Sequence, residues 1–175
     1  MEPYNDMPLG DNMDEYQFEW GIPYAEGWGL VKDKMIQDHW AEVGSFQGLI
    51  PFEPDHAQYF RMEKAKALHI LAVWKGERLV GYFILLIVPY PRSKNVLVAK
   101  DDVLYVAPDC RGDGLGVRIF AEAERYAQSK GVKIIMFRHK AWRTNPAYMK
   151  RLGFEPMEVV YAKVLKAPGD RNVRT

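Results

Sequence analysis

Apolar and polar positions along the chain change their period several times, and each change marks an element. From Gly29, the apolar positions Val31, Met35, Ile36, His39, Trp40 and Val43 recur at spacings of three to four, which predicts one helix face with a stop at Gly44. Residues 44–53 read as a loop. Pro54 and Asp55 then open a second helix carrying Tyr59, Phe60 and Ala67. His69–Trp74 and Leu79–Val88 read as strands joined by a Lys-Gly-Glu-Arg turn, hence a hairpin that Pro89 and Pro91 end. Val96–Val106 predicts a third strand, followed by a glycine-rich loop. Leu115–Ser129 predicts a strong helix, rich in Ala and Glu and stopped by Gly131. Lys133–Arg138 predicts a fourth strand, Asn145–Leu152 a short helix, and Val159–Leu165 a last strand. The order implies an α+β fold with a central mixed, mostly antiparallel sheet flanked by helices.

Composition adds limits. The chain has 175 residues, 48% hydrophobic and 27% charged, which suits one globular domain. The net charge of +1 disfavours nucleic acid as a dedicated partner. That total hides an asymmetry. Residues 1–28 hold seven acids (Glu2, Asp6, Asp11, Asp14, Glu15, Glu19, Glu26) and no Lys or Arg, which leaves a body of +8. These residues also carry six aromatics and lack a steady period, so they read as an extension, either loose or laid over the domain. The expected organisation is therefore an extension over 1–28, a domain over 29–166 and a tail over 167–175. The single Cys110 excludes an internal disulfide and a multi-cysteine zinc site, and no histidine pair has metal-ligand spacing. The longest apolar run, Tyr82–Val88, is too short for a membrane span, and the N-terminus has no signal-peptide pattern. A cytoplasmic protein is the expectation, with no membrane and no metal.

The stretch richest in chemistry is VLYVAPDCRGDGLGVRI, residues 103–119. A strand runs into a loop with three glycines, and the loop opens a helix. Glycines allow positive φ and close approach of a ligand to the backbone, while a helix start offers unpaired N–H groups. Such a site suits phosphate or pyrophosphate. No Lys-Ser/Thr follows the glycines, and their spacing is not that of a dinucleotide fingerprint. Arg111-Gly112-Asp113-Gly114-Leu115-Gly116 instead fits Arg-x-x-Gly-x-Gly.

On that motif the sequence resembles the GNAT superfamily of acyl-CoA-dependent N-acetyltransferases. AVWKGERLVGYFIL resembles the family's hairpin and NPAYMKRLGF its final short helix, so the resemblance covers about residues 29–166. It implies a GNAT-like acyl-CoA N-acyltransferase fold and acetyl-CoA as co-substrate, with coenzyme A as product. It further implies that the strand from Leu104 through Tyr105 to Val106 holds the pantetheine arm by its backbone. Amides from Arg111, Gly112, Asp113, Gly114, Leu115, Gly116 and Val117 would hold the pyrophosphate, with Arg118 adding charge or merely exposed. Two residues depart from the pattern. Asp113 stands where a basic residue is common and is expected to face solvent or cap the helix. Cys110 stands where an aromatic is common and is expected to be inert filler.

Acetyl transfer to an amine must first remove a proton from an ammonium, at about 4.6 kcal/mol for a group of pKa near 10.4 at pH 7. Asp102 is the first candidate base and Asp101 the second. Strict alternation would put Asp102 on one face with Leu104 and Val106, and Asp101 with Val103 and Tyr105. Tyr148 is the candidate acid, although the family's tyrosine position falls on Met149. Asn145 matches loosely an asparagine that contacts the cofactor arm, or it caps the helix. The acceptor pocket is expected from the 44–53 loop (Phe46, Leu49, Ile50, Phe52, Glu53), His139, Trp142 and Arg143. The leading reading is an enzyme acetylating a primary amine of a small molecule or peptide, with a homodimer as a candidate assembly. Its rivals are a CoA-binding regulatory or structural module without catalysis, and an interaction module using the acidic arm.

Overall fold

A computed structural model describes residues 15–31, 34–46, 49–141 and 145–165. The chain divides into two compact units, before and after the boundary between residues 144 and 145. The first unit is built on a five-stranded sheet of order β1-β2-β3-β4-β5. The strands are β1 (Tyr16–Trp20), β2 (Leu68–Lys75), β3 (Arg78–Pro89), β4 (Leu97–Val106) and β5 (Val132–Met136). The first four pair antiparallel, whereas β5 joins β4 in parallel. Among the described residues no helix is long and apolar enough to cross a membrane.

Helix α4 (Leu115–Ser129) shows how sequence positions one face of the sheet. Leu115, Ile119, Ala123 and Ala127 fall four residues apart on one stripe, and each is at most 2% exposed. They pack with Leu71, Val73, Phe83 and Leu85 into the larger core. The opposite face carries Leu68, Ile70, Ala72, Tyr82 and Tyr105, under helices α1 (Tyr24–Val31), α2 (Met35–Val43) and α3 (His56–Lys64). Asp55 starts α3 by accepting a hydrogen bond from the Gln58 amide at 2.9 Å.

In the first unit three expectations change. The stretch read as an extension supplies an edge strand: Tyr16–Trp20 pairs with β2 from Tyr16↔Lys75 to Trp20↔Leu71. Its Tyr16, Phe18 and Trp20 alternate with polar residues and join the larger core, so five residues suffice once an edge is available. The helix expected from Gly29 is instead two helices, the first beginning at Tyr24. The fourth strand stops at Met136, two residues short of Arg138.

In the second unit, α5 spans Pro146–Arg151. Residues 154–165 have no regular secondary structure, so the strand expected over Val159–Leu165 is absent. Val159, Val160 and Tyr161 are at least 76% exposed. β-branched residues favour a strand only where ladder partners and a buried face exist, and here the described residues provide neither.

Candidate active site

The site begins with an irregularity in β4. Its register against β3 runs Ile84↔Val103 and then Leu85↔Asp101, so Asp102 is an extra residue without an opposite number. This is a β-bulge, which bends the strand and re-aims side chains. Asp102 accepts a hydrogen bond from Tyr59 Oη of α3 at 2.7 Å and is half-buried. Tyr59 belongs to the core under the helices α1–α3, whereas Leu104 and Val106 pack in the core on the α4 side. The alternation assumed from the sequence therefore fails at Asp102. The bulge turns this carboxylate to the face of Val103 and Tyr105, away from Leu104 and Val106.

Asp101, the second candidate, is committed elsewhere. Its Oδ1 accepts from the Arg138 amide at 3.0 Å and from Arg138 Nε at 3.3 Å. Its backbone carbonyl also accepts from the guanidinium. Burial raises its pKa from the ordinary carboxylate value, with Arg138 opposing. Burial also raises the Tyr59 phenol, and its bond to Asp102 adds to this, so the phenol keeps its proton at neutral pH.

Beyond the bulge, β4 and β5 part. Their pairing runs only from Leu97↔Val132 to Lys100↔Met136, while β4 continues to Val106. The Ala107 amide donates to Val80 carbonyl at 2.7 Å, which makes this a hydrogen-bonded pair of the antiparallel ladder. Tyr105 and Val103 are then the next residues whose backbone groups face β3. The N–H and C=O groups of Leu104 and Val106 face the other way, into the opening. A cavity of about 170 Å³ lies along them, bounded also by His39, Glu42 and Arg111. Gly81 holds β3 close on the opposite side: a Cβ there would stand 2.9 Å from the Tyr105 carbonyl oxygen.

The strand leads into the glycine-rich loop. Gly112 and Gly114 adopt φ of 95° and 87°, and Gly114 is the residue that caps α4. Arg118 is the first amide with an α-helical partner, the Gly114 carbonyl at 3.2 Å. The Leu115 amide is taken by Asp113 Oδ1 at 3.0 Å. The amides of Gly112, Asp113, Gly114, Gly116 and Val117 find no backbone partner among the described residues. Asp113 thus caps the helix, and its second oxygen accepts from Tyr16 Oη of β1. The loop thus offers five free donors, and its carboxylate is tied to the helix start and to β1.

Sequence reasoning did not foresee the setting of Arg111. Its two terminal nitrogens donate to Glu42 of α2 at 2.8 and 2.7 Å, and Nε donates to the Val106 carbonyl at 2.8 Å. The guanidinium also lies over the Tyr105 ring at 5.5 Å. Beside it, His39 Nδ1 pairs with Tyr82 Oη at 2.6 Å, and burial lowers the His39 pKa to about 4. The helical spacing had placed His39 on a buried face without indicating this partner. Arg118 lies over Phe18 at 4.9 Å, so its charge packs on β1. Cys110 is 3% exposed and belongs to the core.

Of the remaining expected residues, Asn145 caps α5 by accepting from the Tyr148 amide at 3.1 Å. The Tyr148 phenol is half-buried and raised above its usual value by burial, with Arg151 opposing. His139 is exposed and lies beyond the end of β5. Phe46, Leu49, Ile50 and Glu53 are exposed, and Phe52 packs on Trp40 at 5.1 Å. Trp142 and Arg143 lie outside the described residues. Among the described residues no cluster of His, Cys, Asp or Glu has the makings of a metal site.

Residues 33–154 match the Acetyltransferase (GNAT) family. The chain belongs to that family. As a GNAT acetyltransferase it is an enzyme of acetyl transfer, and the family uses acetyl-CoA as co-substrate. The GNAT fold is also seen in solved structures. An aminoglycoside acetyltransferase from an uncultured soil metagenomic sample is similar with a TM-score of 0.65 and 13% identity, over 87% of this chain and 98% of that one. A ribosomal-protein-alanine N-acetyltransferase from Brucella melitensis is similar with a TM-score of 0.61 and 13% identity, over 85% and 99%. AAC(6')-Iy, in complex with a bisubstrate analogue of CoA and acetylneamine, gives 0.56 and 18%, over 87% and 99%. No curated protein matches this GNAT acetyltransferase.

Proposed function

We propose that the protein transfers the acetyl group of acetyl-CoA directly to a primary amine of a small molecule or a peptide. The observation that carries this reading is the open β4 edge leading into a loop and helix start with five amides unpartnered among the described residues. The residues fit the cofactor's two polar parts. Leu104 and Val106, on either side of Tyr105, offer backbone groups for the amides of the pantetheine arm, as an added strand would use them. Gly112, Asp113, Gly114, Gly116 and Val117 offer N–H groups to the pyrophosphate, in the positive field of α4. Arg111 stands between the two. Leu115 and Asp113 keep the helix start in shape through their own bond.

Acetyl-CoA brings an acyl group activated as a thioester. The amine nitrogen forms the new C–N bond, the C–S bond breaks, and coenzyme A leaves as a thiol. The chain's part is to manage protons. Asp102 takes the proton that the ammonium must lose, directly or through water, while Tyr59 Oη holds its Oδ2. Tyr148 stays the candidate acid that the family resemblance suggests: burial raises its phenol, so it holds its proton at neutral pH. The Met149 side chain has no proton to give, which favours a non-catalytic CoA-binding module as the second reading.

Thermal unfolding with acetyl-CoA tests the binding half. At a hundred times Kd the ligand adds about 2.7 kcal/mol, a rise of about 5–11 °C for this chain length. No rise at millimolar acetyl-CoA would overturn both CoA readings. Release of free thiol in the presence of amines then separates enzyme from module. Gly114→Pro is expected to abolish the thermal rise, since a proline at that φ is excluded.

A further inference from the structure

The sheet face under α1–α3 is not fully packed. A cavity of about 80 Å³ remains between these helices and strands β2–β4. Five aromatic side chains enclose it: Tyr24, Trp28, Phe52, Tyr59 and Tyr82. Ala72 and Ile84 form its floor on the sheet, and Leu30, 41% exposed, stands on its wall. Tyr24 and Tyr59 stack at 4.8 Å, and Trp28 meets His56 edge-on at 4.8 Å, so the walls are rigid rings rather than flexible chains. A cavity lined in this way favours hydrocarbon over water.

What adjoins the cavity decides what it is for. Tyr59 lines it and donates its hydroxyl proton to Asp102, while Val103, the next residue after Asp102 in the bulge, also lines it. Asp102 Oδ2 is held by Tyr59, and among the described residues no group donates to Oδ1. A half-buried carboxylate beside an aromatic cavity recognises a cation with an apolar body. Resting on the proposed acetyl transfer, we infer that the acceptor is an arylalkyl or alkyl primary amine whose hydrocarbon part enters this cavity while its ammonium meets Asp102. Polyhydroxylated amines are disfavoured, because the hydroxyls of Tyr24, Tyr59 and Tyr82 are already bonded to His56, Asp102 and His39 and the rest of the lining is apolar. This sets the protein apart from the aminoglycoside enzymes whose fold it shares.

The test is calorimetric titration of the full chain, with and without coenzyme A, using 2-phenylethylamine, glucosamine and 2-phenylethanol as probes. Phenylethylamine is expected to bind at least about tenfold more tightly than glucosamine, from burial of the ring, and than 2-phenylethanol, from the lost charge. Glucosamine binding as well as phenylethylamine, or no phenylethylamine binding in either state, would overturn the inference. Ala72→Leu fills the floor and is expected to weaken phenylethylamine at least about fivefold; an unchanged affinity in the folded variant would place the amine elsewhere and overturn it. Should that variant not fold, Leu30→Arg sets a cation on the wall with the same expected loss and the same overturning result. The thermal rise with acetyl-CoA is read separately. A rise without amine preference defeats only the cavity, and amine preference without a rise defeats only the acetyl transfer.

Discussion

The two faces of the sheet use the same kinds of residues to opposite ends. Under α4, Phe83, Leu85, Leu115 and Ile119 are at most 1% exposed and pack into one core. Under α1–α3, three tyrosines, Trp28 and Phe52 enclose a cavity. His39, Tyr59, Tyr82 and Asp102 all turn polar atoms to that side and satisfy them in pairs. A face packed tightly contributes stability; a face that leaves room beside a carboxylate contributes chemistry. The chain keeps the two apart by the thickness of one sheet.

The difference is open to attack from both sides. Phe83→Ala, on the packed face, is expected to cost about 3–5 kcal/mol in chemical denaturation. His39 provides a pH signature of the other face. Its native pKa of about 4 lies below the ordinary 6.5, so between these values the unfolded chain binds the proton that the native one refuses. Stability should therefore fall as pH drops from 6.5 towards 4, by up to about 3 kcal/mol from this group. His39→Phe should flatten the slope in that window, as urea midpoints at several pH values would show.

Asp102→Asn is expected to lower kcat by about a hundredfold or more while leaving the denaturation midpoint nearly in place. Full activity at neutral pH would remove Asp102 from the mechanism. A matched pair gives the finest comparison. Ala123→Leu overpacks the α4 side and should cost about 1–3 kcal/mol, whereas Ala72→Leu points into the cavity and should cost under about 1 kcal/mol. Equal costs would mean that the two faces are packed alike.

How far the sequence led depends on which physics set each element. Helix α4 was legible to the residue, because high propensity, a four-residue apolar stripe and flanking glycines all agree over Leu115–Ser129. The loop at Gly112–Gly116 was legible because positive φ has few alternatives to glycine. The direction of Asp102 was not: alternation counts one residue per position, and the bulge inserts a residue that only the partner strand reveals. The edge strand Tyr16–Trp20 was too short to stand out from the acidic stretch around it before its partner was known. The cavity belongs to no segment at all. It arises from how three helices meet the sheet, and its residues are spread from Ile22 to Val103.

The odd residue in β4 also bears on how such a chain tolerates loss. Removing Asp102 alone would bring Val103 and Asp101 into continuous register with Ile84 and Leu85. The ladder would gain regularity and the strand would straighten. A one-residue deletion would then leave a sheet at least as well bonded, yet stripped of the carboxylate and of the bend beside which β4 and β5 part. Screens that select only for folding would pass such a chain; only selection for turnover would keep the extra residue.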